Sequence, residues 1–586
     1  MFVLASVLGG CSYLGLGKDE NGSGDGRSEP PRVQAIIDGL DARQERNVRA
    51  YLGLLEEPCD APEWRVRRRL ADADGEIGRA LRALGRYQPQ IDKRLEQEAQ
   101  CWRAHFNVTP GPQVVMDAVQ ITVDGEAELD PAFTALLEAL PLAAGQPLDH
   151  GAYESTKRRL ESLAAERGYR DARLTEHELI VDPDAGTARA KLRLASGPRY
   201  RLGELTLDQH VLDEDVVRRL LEYSPGQAYS ADRLHQLDRA LSDSGYFSAV
   251  DVRADPAAAQ DLSVPITVQA EPRKRHLYSA GAGFATDVGP RVRFGYENRR
   301  INRRGHRLNA RLRASPLEQD LTTEYQLPLE HPQSEWLTFS AAAVRTETDT
   351  FDSTAFKLGA RATHLRFGGW LETAFIEASR ENFEIGATRD TSTFLLPGVS
   401  YARTKSDGAL RTAHGWRLFA EIKGGAEGFG SDTSLLRARL AADWVTTLPW
   451  RGRIISRAEA GALTSGDFDK LPPSLRFFAG GDNSVRGYEF DTLGPRDATG
   501  QVIGGRYLAV ASLEYEHPIR GAWSAATFID AGNAFDDDFS QDIKLGVGAG
   551  LRWQSPVGPV RVDLAHPLND DGDTLVRLHL RVGPDL

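Results

Sequence analysis

The pattern of apolar and polar positions changes once along the chain, near Glu271. Before that point, stretches with an apolar residue every three or four positions indicate amphipathic helices, and short alternating runs separate them. After it, apolar and polar residues alternate with a period of two, as in the runs that begin at Leu308, Trp336 and Phe356. Clusters of Gly, Asp, Asn and Pro separate these runs. The pattern predicts an α+β first half and a second half built of β-strands.

The first half contains three copies of one unit. Two copies begin at Gly111 and Gly197, and in each a helical stretch, a Gly-Gln turn and a second helix follow. The second helix ends at Gly168-Tyr169 in one copy and at Gly245-Tyr246 in the other. Glycine at this place suits a left-handed helix end. A more divergent copy has a helix predicted around residues 47–55 and a second helix that closes on Gly85-Arg86-Tyr87.

Each copy is predicted to fold as β-α-α-β-β, with two helices on one face of a small mixed sheet. The predicted units are residues 32–110, 111–196 and 197–272. Three generic α+β modules without a common role are the alternative, but the repeated helix end favours a tandem array of related units.

Residues 276–586 are predicted to form a membrane β-barrel. The chain has a mean hydropathy of -0.40 and 26% charged residues, and no run after the N-terminus approaches the roughly 18–20 apolar residues of a membrane-spanning helix. A barrel fits this composition, because its strands alternate between lipid and lumen. Seven of the nine tryptophans, Trp336 to Trp553, lie in this half and fit the interfacial aromatic girdles of a membrane barrel.

The first residues predict export. An apolar run ends at Cys11, and a polar, Gly-rich spacer follows it. Cys11 is either lipidated after cleavage or lost with an ordinary signal peptide, and the absence of a basic segment before the run departs from the usual signal. We assign residues 1–31 to this signal-like segment and spacer.

Cys59 and Cys101 are the only other cysteines. In an exported protein, two cysteines without metal-ligand spacing predict a disulfide. On the chain-entropy account it would stabilise the fold by roughly 4 kcal/mol. Two unpaired buried thiols are the alternative.

Motifs of catalysis are absent from the sequence. It has no Gly-x-Ser-x-Gly, no His-Glu-x-x-His, no Gly-rich phosphate loop and no Cys/His cluster with metal spacing. The net charge of -13 argues against nucleic acid as a partner, since phosphate binding requires a basic surface. We expect neither an enzyme nor a bound metal or cofactor.

The most informative segment is FFAGGDNSVRGYEF, from Phe477 to Phe490. Paired glycines followed by Asp-Asn-Ser do not form a regular strand, so the segment is predicted to be an ordered loop that presents Arg486. If this loop folds into a barrel lumen, the arginine requires a carboxylate, because an unpaired buried charge is costly. Asp530, between apolar neighbours in a predicted strand, is the expected partner. An exposed arginine loop is the alternative.

Val485-Arg486-Gly487-Tyr488 resembles the hallmark Val-Arg-Gly-Phe/Tyr of the sixth extracellular loop in the BamA-like superfamily of outer-membrane assembly and two-partner-secretion proteins. In that superfamily the loop folds into the barrel, and its arginine contacts the acidic residue of a Phe-x-Asp-x-Gly strand, which Asp530 would match here. The resemblance implies an antiparallel barrel of 16 strands in the outer membrane of a Gram-negative cell. It also implies that the three units are periplasmic POTRA domains that guide unfolded substrates.

Within the superfamily, three units, a chain of 586 residues, the run SGDFDKLPPSLRFFAGGD and the ending Gly583-Pro584-Asp585-Leu586 resemble the TamA family, the outer-membrane subunits of translocation and assembly modules. That resemblance implies insertion or export of outer-membrane proteins such as autotransporters, a TamB-like partner anchored in the inner membrane, and contact with outer-membrane lipid. A two-partner-secretion exporter of one exoprotein is the alternative.

The resemblance also implies a lateral gate between a weakly paired first and last strand. Glycine weakens strand interiors, and an open edge exposes backbone groups that can pair with an incoming strand. Cysteines at positions 279 and 578 are expected to crosslink this gate. The gate residues we assign are Leu277, Ser279, Gly281 and Gly283 in the first strand and Leu578, Leu580 and Gly583 in the last.

Overall fold

The computed structural model describes residues 31–98, 101–286, 288–408, 411–555, 558–569 and 575–582. Cys11 and Gly583, the expected lipidation site and one expected gate residue, lie outside these ranges. The described residues divide into two compact units, one that runs up to residue 200 and includes 228–231, and one that contains 201–227 and continues from 232 onward.

Each of the three repeats folds as β-α-α-β-β around a three-stranded sheet, as predicted. In every sheet the third strand lies in the middle, parallel to the first and antiparallel to the second. The first repeat contains β1 (Gln34–Asp38), α1 (Ala42–Tyr51), α2 (Glu63–Ala83), β2 (Gln90–Glu98) and β3 (Cys101–Thr109). The second contains β4 (Val115–Asp124), α3 (Pro131–Glu138), α4 (His150–Arg167), β5 (Arg173–Asp182) and β6 (Thr187–Ala195). The third contains β7 (Arg201–Asp208), α5 (Glu214–Leu221), α6 (Ala231–Asp243), β8 (Phe247–Ala254) and β9 (Ser263–Pro272).

The ends of the helices follow from local chemistry. Gly85, Gly168 and Gly245 all have positive φ (75°, 88° and 77°), as the repeated glycines predicted. The prediction of a helix around residues 47–55 was wrong at both ends. Asp41 and Gln44 form a capping box that starts α1 five residues earlier than predicted, at Ala42, and the helix ends at Tyr51.

A disulfide joins Cys59 to Cys101 in the first repeat. Cys101 is the first residue of the central strand β3, and Cys59 lies in the segment that leads into α2. The bond therefore ties the start of the sheet to the helical layer beside the hydrophobic core, which contains Val48, Leu54, Ile77 and Phe106.

The rest of the chain forms one sheet of 16 strands in which every strand is antiparallel to the next. This confirms the predicted barrel and its strand number. The strands are β10 (His276–Ala285), β11 (Gly289–Asn298), β12 (Arg307–Ala314), β13 (Glu318–Pro328), β14 (Trp336–Glu347), β15 (Phe351–Arg366), β16 (Trp370–Ile385), β17 (Thr388–Ser406), β18 (Gly415–Gly425), β19 (Leu435–Thr447), β20 (Arg453–Ser465), β21 (Tyr507–Arg520), β22 (Trp523–Phe535), β23 (Lys544–Ser555), β24 (Gly558–Pro567) and β25 (Arg577–Val582). No helix within the described ranges has the length and apolar character to span a bilayer.

The third repeat packs against one end of the barrel. The Asp213 backbone N–H donates to the Arg303 carbonyl at 2.8 Å, and Gln333 donates to the Leu220 carbonyl at 2.8 Å. Tyr246, the aromatic residue of the repeated Gly-Tyr pair, is buried with the Arg307 guanidinium 4.4 Å from its ring centroid. These contacts fix which strand ends face the repeats, and we call this end of the barrel the repeat end.

All seven barrel tryptophans lie at the repeat end. Trp336, Trp370 and Trp523 are the first residues of β14, β16 and β22. Trp416 is the second residue of β18, Trp444 and Trp553 lie near the ends of β19 and β23, and Trp450 lies in the turn before β20. The sequence predicted interfacial aromatic girdles, and the structure places all seven of these tryptophans in a single one. One tryptophan belt exists, and it surrounds the end that carries the repeats.

A candidate substrate gate and its lumen loop

The segment between β20 and β21, residues 466–506, folds into the barrel and is called the lumen loop here. Its apolar side chains Phe477, Ala479 and Val485 are buried against the strand residues Phe394 and Leu463 in one hydrophobic cluster. A loop of polar and glycine-rich sequence is thus held by an apolar contact with the inner wall.

Arg486 follows Val485 of this cluster and is only 3% exposed. Its Nε donates to Asp530 Oδ2 at 2.7 Å, its Nη2 donates to Asp530 Oδ1 at 2.9 Å, and its backbone N–H also donates to Oδ2 at 3.1 Å. The guanidinium lies over the ring of Phe528, 3.4 Å from the centroid. The structure thus brings Arg486 to the carboxylate that the sequence suggested, in the two-pronged geometry that makes arginine–carboxylate pairs strong.

Two further carboxylates complete the surroundings of Arg486. Its Nη1 donates to Glu514 Oε2 at 2.8 Å and to Asp563 Oδ2 at 3.2 Å. Arg552 shares both of these partners, at 2.7 Å from Glu514 and 2.6 Å from Asp563. Two guanidinium groups and three carboxylates therefore form one buried network, so that each charge has a partner of opposite sign.

Glycines make room for the loop. Gly487 has φ of 100°, and a Cβ atom there would lie 3.1 Å from the Pro567 backbone nitrogen. On β23, a Cβ at Gly546 would collide with the Arg486 carbonyl, and one at Gly548 would collide with the Phe528 ring. These positions are two residues apart and face the same side of the sheet. The glycines of β23 thus create the depression in which Arg486 sits.

The same loop contacts the last strand. The Gly487 backbone N–H donates to His579 Nε2 at 2.9 Å, and His579 Nδ1 bonds to the Asp482 carboxylate. At the end of β25 that lies away from the repeats, Arg577 pairs with Glu489 at 2.9 Å. The position of β25 is therefore coupled to the position of the lumen loop.

The seam between β10 and β25 is weakly joined. Across it, the Thr286 backbone N–H donates to the Leu580 carbonyl at 3.3 Å, and Leu580 N–H donates to Thr286 Oγ1 at 2.9 Å. Arg291 also donates to the Val582 carbonyl, at 3.2 Å. Within the described residues no ladder of paired residues joins the two strands, whereas ten pairs join β10 to β11.

The predicted gate residues divide between the two faces of the barrel wall. Ser279 pairs with Gly295, and the alternation along β10 places Leu277, Ser279, Gly281 and Gly283 on one face. His579 faces the lumen, so its neighbours Leu578 and Leu580 face outward, and Leu578 is 51% exposed. Of the described gate residues, Leu580 makes the hydrogen bonds across the seam.

The sequence did not identify several residues of this site. Glu514, Asp563, Arg552, Asp482 and His579 all belong to it, as the contacts above establish. The spacing Gly546, Gly548, Gly550 was a readable signal, because three glycines at a period of two leave one face of a strand without side chains. The charged residues carried no comparable signal, since lumen-facing polar residues occur on every barrel strand.

Residues 286–585, more than half of the chain, match the Omp85 superfamily domain. The chain belongs to the Omp85 superfamily. Residues 35–110 match the first POTRA domain of the TamA type, and residues 200–273 match the POTRA family of surface antigen variable number repeats. The first and third repeats thus match POTRA models, and the second has the same POTRA-like fold. An Omp85 barrel that carries such units implies an outer-membrane protein with its POTRA domains in the periplasm.

Curated relatives include outer membrane protein assembly factors named BamA. The protein from Neorickettsia risticii is 22% identical over 493 residues, which cover 79% of this chain and 65% of the relative. The protein from Neisseria meningitidis serogroup B is 24% identical over 484 residues, which cover 69% and 60%. The matches thus span less than two thirds of the length of these relatives.

A solved structure has the same fold. The crystal structure of BamA from Haemophilus ducreyi lacking POTRA domains 1–3 superimposes with a TM-score of 0.68 and 16% identity, over 80% of this chain and 99% of that one.

Proposed function

We propose that this Omp85 protein inserts or exports other outer-membrane proteins through the seam between β10 and β25. The observation that carries the proposal is the seam itself. Among the residues that the structure describes, a barrel otherwise closed by continuous ladders is joined there by isolated hydrogen bonds between Thr286, Leu580 and their neighbours. An unpaired strand edge is a template for another strand. Free energy for insertion comes from folding of the substrate, so the step requires no nucleotide.

In this mechanism the lumen loop anchors β25 to the barrel wall while the contact between β25 and β10 opens. The network around Arg486 fixes the loop to β21, β22 and β24. His579 and Arg577 tie β25 to the same loop. Because these contacts use the inner face of β25, they leave its backbone edge available. The last strand can then separate from β10 without losing its attachment to the barrel wall.

The finer proposal is a role of the TamA type. Its support is the match of the first POTRA domain to the TamA type and the presence of three POTRA units. On this proposal, autotransporters and related barrels are substrates, and a TamB-like protein anchored in the inner membrane is the partner. Affinity purification of the tagged full chain from envelope extracts tests the partner. Co-purification of a long, β-rich protein with a single inner-membrane anchor is expected, and its absence from crosslinked extracts would contradict the TamA-type role.

Reconstitution tests the broader function. Liposomes that contain the purified chain receive a urea-unfolded autotransporter barrel, and folding is followed by heat-modifiable migration on gels. We expect faster folding than in liposomes that contain an unrelated closed barrel. Equal rates would contradict the proposed function, and so would a chain that transports a single cognate exoprotein while leaving the autotransporter unfolded.

A further inference from the structure

A cationic and aromatic cluster lies on the outer surface of the barrel, within the tryptophan belt. The lumen face of β16 is identified by Glu381, which accepts a hydrogen bond from Ser474 of the lumen loop. Trp370 is 11 residues away on the same strand and therefore points to the lipid. Ser392 pairs with Glu381 and faces the lumen, so Arg403, also 11 residues away, faces the lipid as well.

Arg403 lies between two tryptophans. Its guanidinium carbon is 5.9 Å from the Trp370 ring centroid and 5.2 Å from that of Trp416. Trp416 pairs with Lys405 on the neighbouring strand, which places a second cation on the same outer face. We call Trp370, Arg403, Lys405 and Trp416 the Arg403 cluster. Contacts of this kind hold a guanidinium in place and leave its donors free.

The acidic residue beside the cluster, Glu372, already accepts hydrogen bonds from two other side chains. Glu372 accepts from Arg366 at 2.6 Å through one oxygen and from Tyr401 at 3.0 Å through the other. Within the described part of the chain, neither Arg403 nor Lys405 contacts a carboxylate. Two cations therefore face outward with no carboxylate partner among the described residues, in a protein whose net charge is -13.

The chemistry of this position indicates an anion of the membrane surface. Tryptophan rings settle at the level of lipid headgroups, and arginine binds phosphate through two parallel hydrogen bonds. The repeat end of the barrel lies at the periplasmic surface of the outer membrane. We propose that the Arg403 cluster binds the phosphate of one anionic phospholipid in the periplasmic leaflet. The proposal rests on the placement of the barrel in the membrane and does not depend on substrate assembly.

Native mass spectrometry of the purified full chain tests this binding. The chain in detergent is mixed with phosphatidylglycerol or with phosphatidylcholine of the same acyl chains, and retained lipids are counted. We expect one phosphatidylglycerol to be retained in preference. Arg403→Gln should weaken that retention by about fivefold, since one cation near a charged lipid surface contributes about 1 kcal/mol. Lys405→Gln and Trp416→Leu should weaken it in the same direction.

Arg520→Gln is the matched control. Arg520 is an exposed cation at the same end of the barrel, paired with Trp523, but it does not lie between two rings in the described structure. The control should retain phosphatidylglycerol as the unmodified chain does. Equal retention of the two lipids by the unmodified chain would overturn the proposal, and so would equal losses in Arg403→Gln and Arg520→Gln. Equally tight binding of glycerol phosphate would identify a soluble phosphate ester as the ligand and would also overturn it.

Discussion

The Gly487 backbone N–H donates to His579 Nε2 at 2.9 Å, across 92 residues of sequence. The bond joins the lumen loop, which is fixed to the barrel wall by Arg486, to the strand that closes the barrel. His579 is 5% exposed and also bonds to Asp482. One side chain therefore couples the hallmark loop of the superfamily to the strand that borders the seam.

Removal of this coupling should loosen the last strand. In His579→Ala, the Gly487 N–H and the Asp482 carboxylate lose their shared partner, and we expect faster hydrogen exchange in β25 with little change in β22. Loss of a partner by buried groups should destabilise the contact by about 1–3 kcal/mol. His579→Gln is the control, because its amide can accept from Gly487 and donate to Asp482. Unchanged exchange in His579→Ala would contradict the coupling.

The pair of Arg486 and Asp530 should be strongly interdependent. Arg486→Ala removes the arginine bonded to Asp530, while Glu514 and Asp563 keep Arg552, and we expect a loss of about 3–5 kcal/mol in barrel stability. Asp530→Ala should cost a similar amount. A double-mutant cycle, measured by urea unfolding followed by tryptophan fluorescence, should give a double variant much less destabilised than the sum of the two. Additive losses would mean that the two residues act independently.

The contact between the first two repeats should weaken at low pH. Tyr87 Oη lies 2.6 Å from His150 Nε2. Burial lowers the pKa of His150 below its usual range, and the nearby Asp149 and Glu154 offset only part of this effect. A lowered pKa in the folded state means that folding favours the neutral ring. The contact is therefore complete above the unfolded pKa of about 6.5 and is lost as the pH falls below it.

Hydrogen exchange in the first turn of α4, corrected for intrinsic rates, measures this effect between pH 7.5 and pH 5.5. We expect protection to fall at the lower pH in the unmodified chain. The His150→Asn variant should lack that pH dependence, since it removes the titrating ring. Equal pH dependence in both proteins would assign the change to another group.

The fold was predictable because its signals are local. The glycines at 85, 168 and 245 mark helix ends through their own backbone conformation. Barrel strands are recognisable because apolar and polar residues alternate along them. The start of α1 was also a local signal, the capping box of Asp41 and Gln44, which the prediction missed. The single tryptophan belt was not predictable before the direction of each strand was known.

The site was predictable only in part. The Arg486–Asp530 pair followed from a motif, but Glu514 and Asp563 come from strands 28 and 77 residues away. Which lumen-facing residues share one height in the barrel depends on the register of the strands, and the sequence does not state that register. The crosslink between positions 279 and 578 was also suggested without knowledge of which face of the barrel wall each position occupies. They lie on opposite faces of the wall, so cysteines there are not expected to form the crosslink that the sequence suggested.

The most direct test of the account is a disulfide across the seam. Thr286 and Leu580 are hydrogen-bonded neighbours, so Thr286→Cys with Leu580→Cys should lock β10 to β25 on oxidation. Phe294→Cys with Leu312→Cys is the matched control, because these outward residues pair within a continuous ladder. In the liposome assay, we predict that the oxidised seam variant does not fold the substrate, that reduction restores folding, and that the control is active in both states. Undiminished folding by the fully oxidised seam variant would contradict the account.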